Sequence, residues 1–435
     1  MFDQEGRPTW LAGLSLAFAI VLGAGETLAA PNAGAEQFLF VWAGSRTGAP
    51  GSAPANAMAV IDADRGSPTY GRLVSWTKTD VPSNRVHHTE YWMPEGGVLF
   101  ANDHDAGRTF RIDLRDPAHP AILGSFDTMG PLAMPHSFMR TPSGSVLATF
   151  MHGNDQRHGA AQGHGTHAPG SAAWPGITGG LAEIDADGRV IRTASNADPA
   201  FEGELLSPYG LVILPKINRV LSTNSAMTSA NGPGSTFQVW RLSTLELLST
   251  ERFDPGPSGV SHIDPQEPRL GPDGSVYVQT LSCSLQRVTG LAENRPRARF
   301  VYRFAGGGCG VPTIAGRWLI QSVPYLRALV VLDLGDPDAI REVSRLILPD
   351  GFLPHWTGWD PAGSRVVTTG SSRVYLLDLD PGTGRLTLDQ RFGDGEGVSG
   401  FDFSTADWPM NAEGRYVPHG AVFSLIQPGG KRRKP

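Results

Sequence analysis

Six of the twelve histidines in this chain, His87, His88, His136, His262, His355 and His419, sit in short segments of one pattern. The segments are Arg85-Val86-His87-His88-Thr89-Glu90-Tyr91-Trp92, Met134-Pro135-His136-Ser137-Phe138, Val260-Ser261-His262-Ile263, Leu353-Pro354-His355-Trp356 and Val417-Pro418-His419-Gly420. Imidazole is a common metal ligand and suits copper, zinc, iron and nickel, whereas calcium and magnesium want oxygen donors. A histidine recurring at one position of a repeat therefore predicts a transition-metal centre, copper being favoured over calcium or magnesium while the choice among the transition metals stays open.

The repeat also says what must position these side chains. Most histidine segments are followed within about a dozen residues by a glycine-containing turn and an apolar strand, as at Pro272-Asp273-Gly274-Ser275-Val276-Tyr277-Val278. Helical periodicity is nearly absent. Residues 88–93, 98–102, 109–114 and 121–126 read as four strands in about forty residues, the size of a propeller blade. Similar units begin near residues 86, 134, 207, 260, 307 and 353, the second of them carrying an insertion. A seventh is assembled from both ends of the chain: residues 37–42, 57–61 and 71–76 supply three strands, and residues 420–425 supply the inner one. The expectation is an all-β, seven-bladed propeller without exposed sheet edges.

In such a ring the blade-opening positions are His87 or His88, His136, Tyr209, His262, Cys309, His355 and His419, and they converge on the axis. Strand alternation sends His87 and His88 to opposite faces, so one coordinates while the other packs or supports, with His88 favoured as the ligand. Glu90 shares the parity of His88 and either orients a ligand and moves a proton or simply lines the channel. Tyr209 is the second candidate catalytic group. Cys309, within Gly306-Gly307-Gly308-Cys309-Gly310, fits a tight turn or a disulfide with Cys283, the other of the two cysteines. A loop over residues 152–176 adds His152, His158, His164 and His167 on the same face, either as a solvated loop or as a metal-capturing lid.

With 435 residues, 40% of them hydrophobic, the chain can bury a large core, and a net charge of −6 without a basic stripe argues against a nucleic-acid partner. Residues 1–30, with an apolar run over 10–24 and small residues at Thr27-Leu28-Ala29-Ala30, read as a secretory signal. Residues 31–428 are then the propeller and 429–435 a basic tail. The expected location is the periplasm, without stable membrane insertion after cleavage. No GxSxG elbow, P-loop or dinucleotide fingerprint is present.

From Ser67-Pro68-Thr69-Tyr70 onward the chain resembles the selenium-binding protein family, whose bacterial enzymatic members are methanethiol oxidases. The resemblance rests on that segment, the His87-His88 pair, His136, Tyr209-Gly210, Ser235-Thr236-Phe237-Gln238-Val239-Trp240, Cys283-Ser284-Leu285-Gln286-Arg287 and His419, in family order. It implies a seven-bladed propeller and a copper site that oxidises methanethiol with O2 to formaldehyde, hydrogen sulfide and hydrogen peroxide. His262, His355 and the histidine-rich loop depart from the family pattern. Two further readings stand beside the oxidase: a metal-dependent propeller hydrolase or lactonase, and a periplasmic carrier of metal or selenium.

Overall fold

A computed structural model describes residues 37–45, 54–82, 86–103, 106–153, 178–227, 234–259, 262–349, 351–393, 399–405 and 407–425. Among these, strands dominate and helix is confined to single 3-10 turns such as Pro215–Ile217. Seven antiparallel sheets, each built on four strands, follow one another as the blades of a β-propeller. Blade 1 is the composite expected from the two chain ends. Its strands Leu73–Pro82, Ala55–Asp62 and Phe38–Ser45 pair in that order, and Tyr416–Phe423 lies innermost, with Leu39 opposite Phe423 and Val41 opposite Ala421. Residues 1–36, where the secretory signal was expected, and residues 426–435 lie outside the described ones, as does most of the 152–176 loop.

Burial follows position in the blade. Inner strands such as Pro208–Leu214 are buried throughout, while outer strands such as Arg341–Ile347 alternate between exposed and half-buried residues, the period-2 signature of a sheet with one wet face. The core lies between neighbouring sheets. Blade 7 packs on blade 1 through Trp356, Val367, Leu376, Leu39, Ala59 and Ala421. The same seam holds a buried ion pair, in which Arg365 donates to Asp360 at 3.0 Å and to the carbonyl of Ala63 at 2.7 Å.

One irregularity recurs in the inner strands. In blade 2, residues 86–89 oppose only 103–101 of the neighbouring strand; in blade 3, 135–138 oppose 150–148; in blade 4, 208–211 oppose 224–222. Blades 5, 7 and 1 do the same at 265–268, 354–356 and 418–421. Each is a β-bulge, one extra residue that breaks alternation and re-aims the side chains beside it.

The blades are tied together by hydrogen bonds from the second strand of one blade to a carbonyl in the inner segment of the next, at the bulge where there is one. Asn102 Nδ2 donates to the carbonyl of His136 at 3.0 Å, Thr149 Oγ1 to that of Tyr209 at 2.6 Å, and Thr223 Oγ1 to that of Gln266 at 2.6 Å. Gln279 Nε2 donates to Cys309 at 2.7 Å, Ser322 Oγ to His355 at 2.7 Å, and Thr369 Oγ1 to His419. Thr149 and Thr223 also accept the amides of Ser137 and Gly210, the second bulge residues of their own blades. Close approach explains the glycines there: a Cβ on Gly210 would stand 2.4 Å from the Gln266 carbonyl, and one on Gly310 2.1 Å from that of His355.

Candidate metal centre

This belt of hydrogen bonds marks equivalent residue pairs in the seven blades: His87-His88, His136-Ser137, Tyr209-Gly210, Gln266-Glu267, Cys309-Gly310, His355-Trp356 and His419-Gly420. Five histidines come together. The His87 ring lies 4.2 Å from His88, 4.6 Å from His136 and 4.6 Å from His419, centroid to centroid, and His355 lies 4.5 Å from His419. His87, His88, His136 and His419 are buried, and His355 is the partly exposed member. One ligand atom from each of His87, His88 and His136 falls within 4.8 Å of the others. His88 Nε2 is buried with no hydrogen-bond partner among the described residues. Burial first, then the neighbouring His136, His419 and His355, hold the His88 pKa well below its usual value. Its imidazole is therefore neutral and able to act as a ligand at neutral pH, and the donor set fits a transition metal.

The structure corrects the expected site in three places. His87 and His88 do not diverge: the bulge between Val86 and Thr89 cancels alternation, and their rings stack with 16° between planes. The same bulge breaks the parity that joined Glu90 to His88. Glu90 instead turns into the seam between blades 2 and 3, where its carboxylate accepts from Arg140 at 2.6 and 3.0 Å and from the Phe100 amide at 3.0 Å. Glu90→Ala is accordingly expected to lower unfolding free energy by roughly 2–3 kcal/mol, as for hydrogen bonds to charged groups, while leaving bound metal unchanged; denaturant unfolding beside elemental analysis checks both.

His262 is the third correction. It is exposed and precedes the inner strand of blade 5, Pro265–Leu270, so that blade presents Gln266 and Glu267 at the bulge. Cys309 does occupy the blade 6 position, but its sulfur is bonded to Cys283, which closes the choice between tight turn and disulfide in favour of the bridge. Tyr209 joins the cluster, its ring 3.8 Å from that of His136 and buried, and burial raises its phenol pKa well above the usual value. Of the loop histidines only His152 is among the described residues, buried at the end of Val146–Gly153; His158, His164 and His167 lie outside them.

Glu267 is the group that sequence reading missed. It is fully buried, with Oε1 3.4 Å from His88 Nδ1, and its Oε2 accepts from the Tyr91 hydroxyl and, at 3.4 Å, from Arg269. Burial raises its carboxyl pKa, with Arg269 and the Tyr91 hydroxyl opposing. Below this layer Tyr91 is sandwiched between Trp356, 5.0 Å away and 9° from parallel, and the guanidinium of Arg269 at 3.8 Å. Beyond it lies an apolar pocket lined by Met139, Val212, Ile213, Leu270 and Ile314. A signal for Glu267 exists in the chain. Proline precedes the first bulge residue at Pro135-His136, Pro208-Tyr209, Pro354-His355 and Pro418-His419, and Pro265-Gln266 belongs to that series.

No protein-family model matches the chain, and no curated protein does. Among solved structures it is similar to a hypothetical selenium-binding protein from Sulfolobus tokodaii, at 14% identity and a TM-score of 0.64, covering 90% of this chain and 94% of that one. It is also similar to the periplasmic gluconolactonase of Pseudomonas aeruginosa, at 15% identity and a TM-score of 0.59, covering 90% of this chain and all of that one. At these identities what the chain shares with both is the propeller fold.

Proposed function

We propose that the chain binds copper at His87, His88 and His136, with His355 and His419 completing the ring, and oxidises a small thiol with O2, methanethiol being the substrate that the selenium-binding resemblance implies. The observation that carries this reading is a run of contacting histidine rings from four blades, of which His87, His88 and His136 bring ligand atoms within 4.8 Å of one another. Copper, when bound, would supply a soft partner for thiolate sulfur and one-electron chemistry with oxygen. The protein supplies imidazoles held by bulges rather than by a loop, that of His88 kept neutral by burial, and beside them a layer in which Tyr91 stacks between Trp356 and Arg269. Tyr209, kept protonated by burial, presents a neutral phenol beside His136. Methanethiol, O2 and water then balance as formaldehyde, hydrogen sulfide and hydrogen peroxide. Export to the periplasm belongs to the same proposal, and the Cys283–Cys309 bridge supports it, since disulfides persist in oxidising compartments.

A second reading has its own support. The carboxylate of Glu267 beside the histidines suits a divalent ion acting as a Lewis acid, which would make the protein a hydrolase of esters or lactones. Elemental analysis of the purified chain, paired with an oxygen electrode, separates the readings. Copper should be present, and methanethiol should drive oxygen uptake with release of sulfide and peroxide. Zinc or calcium together with lactone hydrolysis would overturn the oxidase in favour of the hydrolase, and tightly held copper without thiol-dependent uptake would leave a carrier.

A further inference from the structure

We infer that Glu267 is the positioning residue of the histidine cluster: it fixes His88 in the tautomer that carries its proton on Nδ1 and turns the Nε2 lone pair toward His87 and His136. This deepens the metal reading, and rests on it only for what Nε2 would hold. The argument is one of donor and acceptor counting around a dry site. His88 Nδ1 has three neighbours, Glu267 Oε1 at 3.4 Å, Ser137 Oγ at 3.3 Å and Tyr91 Oη at 3.5 Å. A carboxylate only accepts, and Glu267 is fully buried, so its oxygens need donors. The Tyr91 hydroxyl and Arg269 already donate to it, and Ser137 lies within its hydrogen-bonding shell.

Glu267 Oε1 is buried, has no hydrogen-bond partner among the described residues and faces His88 Nδ1 at 3.4 Å, so a proton on Nδ1 offers it the donor it lacks. With the proton on Nε2, Nδ1 becomes an acceptor, and Ser137 or Tyr91 must abandon the buried carboxylate to satisfy it. Leaving a buried carboxylate oxygen short of a donor is costly, so the unpartnered Oε1 of Glu267 facing Nδ1 selects the tautomer. Carboxylates that hold metal-bound histidines act this way, and removing them weakens metal affinity by about 10–100-fold. The residue reaches the site from blade 5, three blades from the His87-His88 pair, so it also locks the orientation of the His88 ring across the axis.

The test begins on the metal-free chain labelled with 15N-histidine, with the His88 resonances identified as those missing from His88→Gln. NMR should show Nδ1 protonated and Nε2 bare. Glu267→Leu should reverse this to an Nε2–H form, because Ser137 or Tyr91 then donates to Nδ1, and should weaken binding of copper(II) alone by about 10–100-fold. Tyr91→Phe and Glu267→Asp, which keep a carboxylate, should retain the Nδ1–H form and guard against the leucine variant failing to fold. An Nε2–H tautomer in the parent chain, as a protonated Glu267 would impose, overturns the inference. So does reversal in Tyr91→Phe. An Nδ1–H form in a chain that retains no copper supports the positioning role and sinks the copper reading instead.

Discussion

His88→Ala and His136→Ala should each strip the protein of stoichiometric copper while leaving the propeller folded. A zinc site of four ligands in small domains binds with ~10–16 kcal/mol, so one ligand carries on the order of 3 kcal/mol and its loss weakens binding about 100-fold or more. The fold tolerates the change for a reason visible in the belt. Asn102 holds the backbone carbonyl of His136, not its ring, so the bulge survives truncation of the imidazole. His88 spends Nδ1 on a neighbour and leaves Nε2 for the centre, so its removal takes away a ligand without opening a blade seam. Elemental analysis after dialysis, with circular dichroism for the fold, decides the matter. His262→Ala is the control and should keep its copper, because that side chain is exposed and outside the cluster. Equal loss in all three variants would place the metal elsewhere.

A chain ending at Asn411 should fail to give a cooperative thermal transition. It lacks the strand Tyr416–Phe423, in which Tyr416 and Ala421 are fully inaccessible and Val422 and Phe423 are buried. Burying Tyr416, Val422 and Phe423 contributes ~1.5–3 kcal/mol each, or roughly 5–9 kcal/mol together. That is comparable to the whole stability of an ordinary domain, about 5–15 kcal/mol. The loss is compounded by three side-chain hydrogen bonds that join this strand to the rest, from Thr369 Oγ1 to the His419 carbonyl, from Trp356 Nε1 to the Ala421 carbonyl at 3.2 Å and from the Tyr416 hydroxyl to the Ala55 carbonyl at 2.8 Å. It also leaves the inner edge of Phe38–Ser45 unpaired and open to intermolecular pairing. Calorimetry and size-exclusion chromatography read both effects, and a full-length-like transition in the truncated chain would contradict the ring closure.

The fold was legible because its signals are local and repeated. Turn dipeptides, short β-branched strands and a unit length near that of a blade need no tertiary knowledge, and the leftover strand at residues 420–425 had to pair with the unpartnered strand near the amino end. The site was harder for reasons that residues make plain. His87 and His88 were assigned to opposite faces because alternation is the rule for a regular strand, and a bulge announces itself in no single residue type. The same bulge removes the parity between His88 and Glu90. His262 draws the eye because Val260-Ser261-His262 looks like Val417-Pro418-His419, while the true inner strand, which opens on Pro265-Gln266-Glu267-Pro268, carries two prolines and an acid that argue against a strand. Those prolines are admissible at Pro265 and Pro268 because they flank the bulge. The role of Glu267 depends on groups far from it in the chain, Tyr91 and Ser137, which only the closed ring brings within reach.

His419 rides on the strand that closes the ring, and this sets an order of assembly. A chain made from its amino end has His87, His88 and His136 long before it has residue 419, and until the last strand inserts beside Phe38–Ser45 these three cannot be joined by a partner from blade 1. The full set of imidazoles is thus a property of the finished molecule and of no fragment. Partial chains offer fewer donors to stray ions, and the complete centre serves as a certificate that both termini have found each other.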